Sequence, residues 1–384
     1  MNKLYFIILT MFIFSSCNTD HKTYREKTQI NLQEAVLSSS RKNIESYCDS
    51  VFYVKLETRD TVLLRSPFYS FTSDAIIAYE GASVYRFSYT GEFLNSYIHK
   101  GQGPQDLLAI NGILWNEESH RLYVIDGALG KLLILDENLN YVSHQSFRIP
   151  EFRSITKGDY IYIGLLRNDF NNSKSDLSVV RYDIRDAHYD VLCKSDIPRY
   201  DAKMFPMFTT GTYLSLWNSD FYVRENRSDT IFSFTADDTK RKYAYTINAG
   251  EIYPAALDYD NERRKERINY IIPSDCMFID DYIFIYYTYK EMQPSLAVFH
   301  KDSGKVYCVE KTQNNLIDGG LPINIIKRVS GKRYYAGQLF PGIHLQDDFI
   351  SRVSTFKGKN NSLKEILSRT TVDDNPILMF VDLK

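Results

Sequence analysis

The sequence predicts an all-β fold, a six-bladed β-propeller of four-stranded antiparallel blades, and three observations predict it. From about residue 51 onward, short β-like runs alternate with turn residues, many of them Gly-bearing. Tyrosine at 30 and phenylalanine at 23, against two tryptophans, favour pleated sheet. The runs recur as six units of roughly 55 residues each, near the upper end of propeller repeats. A four-stranded meander cannot bury both faces alone, and radial stacking against neighbouring blades does so while leaving only short edges. Two β-sandwiches in tandem are the competing architecture, but no linker rich in Pro, Gly or Ser divides the body.

The units follow in order. Residues 75–79, 83–89 and 92–98 are three strands joined by the turns Glu80-Gly81 and Thr90-Gly91. A second unit has runs at 122–126, 131–136 and 141–149, and a third at 160–164 and 177–183. A fourth has 221–223 and 230–234, a fifth 282–289 and 295–300. The sixth shows only three strands of its own, at about 323–329, 333–339 and 377–383. Its fourth strand is expected from residues 51–57, which would join the N- and C-terminal strands in one blade and close the ring. Two segments break the pattern. Residues 254–271 carry the run Asn261 to Arg267 and read as a charged surface helix, with Leu257, Ile268 and Ile271 as a narrow docking stripe. Residues 362–367 read as a short helix with Ser362 as N-cap and Glu365 at the capping-box position.

Ahead of the body lies an address. Lys3 is a positive n-region, residues 4–14 are apolar except Thr10, and Phe14-Ser15-Ser16-Cys17 has the bulky-small-small-Cys pattern of a lipobox. The apolar run is too short to span a bilayer. The expectation is a signal peptide over 1–16, lipidation of Cys17, a lipidated tether over 17–40 and a propeller domain over 41–384. An ordinary secretory signal that happens to precede a cysteine is the alternative. Asp20 is the only acid in the five residues after Cys17, whereas surface-exported lipoproteins of Bacteroidetes-like bacteria are expected to carry a denser acidic cluster there. Resemblance to that class therefore implies the periplasmic face of the outer membrane rather than the cell surface. The remaining cysteines, Cys48, Cys193, Cys276 and Cys308, contain no CxxC pair, so neither a redox motif nor a zinc knuckle is indicated. In the expected blade order Cys276 and Cys308 sit three strands apart, too far for a disulfide.

Lys+Arg is 46 and Asp+Glu is 48, for a net charge of −2. No basic block supplies a phosphate-binding patch, so nucleic acid is not an expected partner. The domain is read as monomeric.

At Gly91-Glu92-Phe93-Leu94 and Gly101-Gln102-Gly103-Pro104 the sequence resembles the six-bladed β-propeller lipoproteins of Bacteroidetes, akin to NHL and TolB-like propellers. The strand Val54-Lys55-Leu56-Glu57-Thr58, the pair Tyr123 and Asp126, and Asn375-Pro376-Ile377-Leu378 match further parts of that pattern. The resemblance covers about residues 49–384. It implies the fold but no general activity. The family pattern places an acid and an aromatic after the Gly-x-Gly-Pro loop, whereas this chain has Gln105-Asp106-Leu107.

No catalytic signature emerges, and no cofactor or metal is implied. Gly101 to Pro104 lacks the helix and the Lys-Ser/Thr of a phosphate loop, and reads as a tight inter-blade turn. Residues 127–131 fail as a Walker motif, and 169–174 start like a calcium loop but lack its Gly and final Glu. The seven histidines are not at metal-helix spacing, and there is no HExxH or G-x-S-x-G. His99, Gln102 and Asp106 form a candidate channel-mouth loop. Ser50, Thr61 and Thr230 each follow an Asp and precede an apolar residue, a pattern of Bacteroides-type O-glycosylation. The expected function is a lipid-anchored envelope module that binds or scaffolds a glycan, peptide or envelope protein. The alternative is a metal-dependent hydrolase or lyase with acids and histidines gathered at the channel mouth.

Overall fold

The computed structural model describes residues 28–38, 41–149, 151–167, 177–194, 210–225, 228–251, 263–291, 294–310, 320–356 and 362–384. Three N-terminal strands come first: β1 (Thr28–Ile30), β2 (Arg41–Asn43) and β3 (Cys48–Lys55), with helix α1 (Leu32–Leu37) between the first two. Six blades follow. Blade one is β4 (Phe68–Phe71), β5 (Ala75–Glu80), β6 (Ser83–Ser88) and β7 (Phe93–Ile98); blade two is β8 (Ile110–Asn116), β9 (Arg121–Asp126), β10 (Lys131–Asp136) and β11 (Tyr141–Ser146). Blade three is β12 (Glu151–Lys157), β13 (Tyr160–Arg167), β14 (Leu177–Asp183) and β15 (His188–Lys194); blade four is β16 (Thr210–Trp217), β17 (Asp220–Glu225), β18 (Thr230–Thr235) and β19 (Lys242–Ile247). Blade five is β20 (Ile272–Phe278), β21 (Tyr282–Thr288), β22 (Ser295–His300) and β23 (Val306–Glu310). Blade six is β24 (Lys327–Ser330), β25 (Arg333–Leu339), β26 (Ile377–Leu383) and, as its fourth strand, β3. The first strand of each blade lies nearest the axis, where β4, β8, β12, β16 and β20 touch in succession. We call the face at which these inner strands begin the upper face.

The near-continuous apolar strands are explained by packing between blades. In β5, Ile76 and Ala78 join the core shared with blade six, while Ala75, Ile77 and Tyr79 join the core shared with blade two. Similar clusters fill the other blade interfaces. Both faces of a middle strand are therefore dry, and period-two alternation disappears from its sequence. Blades three and four are also stitched by backbone, since Leu166 and Arg167 at the end of β13 pair with Gly211 and Thr210 of β16.

Closure runs as expected. β3 pairs antiparallel with β26 from Lys55 opposite Ile377 to Cys48 opposite Leu383. Beyond the ladder, Asn375 is 1% exposed and fully used. Its Nδ2 donates to the carbonyls of Glu57 and Val62, both at 2.8 Å, and its Oδ1 accepts from the Leu64 amide at 2.8 Å. Asp374 beside it takes Lys55 Nζ at 2.8 Å and the Thr58 hydroxyl at 2.8 Å. The hairpin turn at Gly91 reaches the same place. Its φ is +90°, and a Cβ there would lie 2.0 Å from the Lys55 carbonyl oxygen, so only glycine lets blade one sit against the closing strand.

Several expectations need correction. The segment read as tether up to residue 40 is built into the domain from Thr28. β1 runs parallel along the outer edge of β19 (Thr28 opposite Tyr245), and Ile30 and Leu32 are fully buried. β2 does the same on β23, with Arg41 opposite Cys308. These additions cover edges that would otherwise offer unpaired backbone groups. Arg263–Asn269 is a 3-10 segment rather than a helix with a docking stripe. Ile271 is buried ahead of β20, Ile268 is 40% exposed, and Leu257 lies outside the described residues, so no amphipathic face is completed. The helix Ser362–Leu367 is present but is the last of three, α4, after α2 (Pro341–His344) and α3 (Asp347–Thr355), in a long excursion between β25 and β26. Cys276 and Cys308 fall in one row across blade five, Cys276–Ile285–Ala297–Cys308. Three strand spacings, about 14 Å, separate them, and all four described cysteines are buried free thiols.

Asn375→Ala should strand one amide and two carbonyls at the seam, at a cost of about 3 kcal/mol, read as a lowered urea midpoint with an unchanged m-value. Asp374 gives a pH signature. Burial pushes its carboxyl up, but hydrogen bonds from Lys55, the Thr371 amide and Thr58, together with the Lys55 charge, outweigh burial and bring it down to about 2 from 3.8. A depressed folded pKa gives stability that is complete above the unfolded value and lost as pH falls toward 2. The contribution is about 2 kcal/mol. Asp374→Asn should flatten the stability curve between about pH 4 and pH 2; a variant as acid-sensitive as the parent would exclude this assignment.

Candidate functional site

Three charged side chains from three blades converge on the axis. Arg153 on β12 places Nη2 3.5 Å from Asp275 Oδ2 on β20, across the position of blade four. Lys327 opens β24, and its Nζ donates to the Tyr69 carbonyl of β4 at 3.3 Å. Arg153 and Asp275 expose 55% and 39% of their side chains, and Lys327 is also wetted. Yet Lys327 and Asp275 behave as enclosed groups. Enclosure pulls the Lys327 ammonium down to about 8, and the facing charge of Arg153 pulls the same way. Enclosure raises the Asp275 carboxyl above its ordinary value, against the opposing field of Arg153. Water reaches the tips through the channel, but the surrounding strands withhold bulk solvation from the wall. Tyr213 of β16 completes the wall, its hydroxyl held neutral by burial and then by Asp275.

The charges reach this place because of the ring. Inner strands have one long sheet partner, with β16 also pairing with β13 at its first residues, so most of their other edge borders the channel and polar side chains on them find water there. Two cations and one carboxylate leave a local excess of positive charge. The rim above is apolar in part: Phe68 (66% exposed) precedes Tyr69, and Ile326 (54% exposed) precedes Lys327. The site can hold an acidic group against Lys327 and Arg153, with an apolar or ring face against Phe68 and Ile326.

The residues singled out from sequence lie elsewhere. His99, Gln102 and Asp106 share one loop, the connection from β7 to β8. Asp106 Oδ2 accepts from the Gly103 amide at 2.8 Å, and Lys131 Nζ donates to the carbonyls of Gly103 (3.1 Å) and Asp106. Lys131 belongs to β10, the third strand out from the axis, so the loop is fastened over the outer half of blade two. His99 is exposed and its ring packs on Tyr97, 4.6 Å between centroids. Gln102 is exposed. Of the hydroxyls considered for glycosylation, Thr61 is exposed, Ser50 donates to Asp382 at 3.0 Å and Thr230 to Asp229 at 2.7 Å. Cys17 and residues 169–174 lie outside the described residues. Among the described residues, no group of three or more His, Cys, Asp or Glu is gathered that could hold a metal ion. No helix among them is long and apolar enough to cross a membrane.

Arg153, Asp275 and Lys327 were not singled out from sequence. The signal available was a charge inside an inner-strand run, as at Pro273-Ser274-Asp275-Cys276-Met277. Only knowing which strand is innermost gives that charge a meaning.

Residues 27–382 match the family described as Domain of unknown function (DUF4934), and the chain belongs to that family. Among solved structures it is similar to a protein described as exported from Bacteroides fragilis, at 15% identity, with 89% of this chain and 97% of that one covered and a TM-score of 0.66. It is also similar to a member of the DUF4221 family from Bacteroides vulgatus, at 12% identity, with 88% and 97% covered and a TM-score of 0.50. At these identities the likeness concerns the fold. No curated protein matches the sequence.

Proposed function

We propose that the protein is a binding module of the cell envelope, held to the outer membrane by a lipid on Cys17, that takes an acidic glycan or peptide segment into the upper mouth of its channel. The observation that carries this reading is the convergence of Lys327, Arg153 and Asp275 on the axis. A lysine in the channel whose bond is to a backbone carbonyl rather than a carboxylate is available to an incoming anion. The exported relative from Bacteroides fragilis and the Cys17 motif support the envelope setting. The narrower kinship with NHL and TolB-like propellers, the periplasmic face and the monomeric state belong to the same proposal.

Titration with a short polygalacturonate or poly-glutamate probe, followed by calorimetry, tests it. Lys327→Met should weaken binding at least tenfold while leaving the melting temperature within a few degrees. Binding of an anion requires the charged ammonium, so affinity should fall as pH rises above about 8, by at most tenfold per unit. An affinity flat from pH 7 to 10, or unchanged in the variant, would remove the channel from consideration.

The anchor has its own test. Cys17→Ser should release the protein from membranes into the soluble envelope fraction. Retention on membranes after a high-salt wash would count against the lipid.

A further inference from the structure

A cavity of about 210 Å³ opens at the upper face between blades four and five, apart from the axial cluster. Its walls come from the end of β19 with residues 248–251, the start of β20, the turn beyond β17, and Gln29 of β1. Arg224 lines it and is 2% exposed. The guanidinium staples the two blades together. Nε donates to the Ser228 carbonyl at 3.0 Å, Nη1 to Ser274 at 2.7 Å and Nη2 to Pro273 at 3.0 Å. These bonds use three of its five N–H donors and leave one hydrogen on each Nη. Its partners are all neutral carbonyls. Asp275 feels its charge but is paired with Arg153 on the channel side. A buried cation with no carboxylate in hydrogen-bond contact is an expensive arrangement in a folded chain.

A second polar atom in the wall is also unmatched. Thr246 Oγ1 is inaccessible and has no hydrogen-bond partner among the described residues. Around these two groups the lining is aliphatic: Ile247, Ala249, Ile271, Ile272 and Pro273. Asp229 and Glu251 also line the cavity, but both are exposed at its mouth, where water screens their charge from the buried Arg224.

We infer that this cavity is a binding site for a small monocarboxylate with a compact aliphatic body. The carboxylate answers the two free Nη hydrogens of Arg224 and accepts from Thr246, and the aliphatic part rests on Ile247, Ile271 and Pro273. One negative charge matches the one buried cation in the wall. Phosphates and dicarboxylates are disfavoured, because their further charge would meet Asp229 and Glu251. At a water's share of about 30 Å³, the volume suits a ligand of roughly seven heavy atoms. The site is independent of the axial proposal and does not need it.

The test uses the full chain after signal removal, with isovalerate as probe and isovaleramide as its uncharged match, read by ligand-observed NMR. Isovalerate should bind with a Kd of about 1 mM, as expected for so small a ligand, and the amide at least tenfold more weakly. Ala249→Phe, which fills the cavity without touching Arg224, should abolish the signal. Thr246→Val should weaken it several-fold with an unchanged melting temperature. Lys327→Met should leave it intact. Equal binding of acid and amide, binding that survives Ala249→Phe, or loss of binding in Lys327→Met would each overturn the assignment, as would no binding of isovalerate at about 20 mM.

Discussion

A ring of radially packed sheets is only as stable as its seam, and here the seam is the antiparallel pairing of β3 with β26. The four strands of each of blades one to five pair in chain order. The seam joins residues more than three hundred positions apart, so nothing local holds it. The structure concentrates polar bonds there. Asn375 ties three backbone groups of residues 57–64, Asp374 pairs with Lys55 and Thr58, and the Leu56 amide donates to the Pro376 carbonyl. Arg333 adds a pair of bonds to Asp382 at the lower end of the same ladder. Apolar packing completes it: Phe52 stacks on Phe380, which also meets Phe71 of blade one edge-on. Without the seam, blades one and six would each expose a dry face, and the cores between the remaining blades would lose their confinement.

The closed ring creates two places where charge meets the interior, in addition to buried groups such as Asp126 and Lys131 of blade two. One is the axis, where the inner strands stop short of touching across the centre and leave water against Arg153, Asp275 and Lys327. The other is the junction of blades four and five, where Arg224 satisfies three carbonyls that the inner strand and the β17–β18 turn leave unpaired. The first is wet and the second dry, and the chemistry each can host follows from that difference. A wet charge exchanges its hydration for a ligand at modest cost, whereas a dry charge awaits a partner it can hold closely.

Much of this was legible in the sequence and some was not, for physical reasons. The blades are legible because strands buried on both faces must be apolar and β-branched or aromatic, and because hairpins need Gly at positive φ, as at Gly81 and Gly91. Closure is legible because one unit lacks a strand and another run lies spare. β1 and β2 are not legible: three-residue strands carry no periodicity, and Arg41, Lys42 and Asn43 have no apolar member to announce burial. The helices α2 and α3 lie where the chain leaves the blade pattern, and at four and nine residues they are too short to sustain a helical period in the sequence, although Phe349 and Val353 of α3 are buried on one face. The axial charges escape notice because their meaning depends on radial position, which no single strand encodes. The Gly-x-Gly-Pro loop attracts attention by its composition, but its backbone serves as the acceptor set for Lys131.

The N-terminal belt has a consequence for the order of events in time. Thr28, Arg41 and Cys48 pair with Tyr245, Cys308 and Leu383, so the segment made first finds its partners only when the last three blades exist. Blades one and two can assemble from neighbouring hairpins as they emerge. The belt cannot, and it must stay unpaired through nearly the whole of synthesis. Such long-range pairing slows the final step of folding, because loop-closure entropy is lost before any contact repays it. It also makes completion all-or-none: a chain that lacks β26 leaves β3 without the strand it pairs on and the ring open at its seam, a form that chaperones and proteases can distinguish from the finished one.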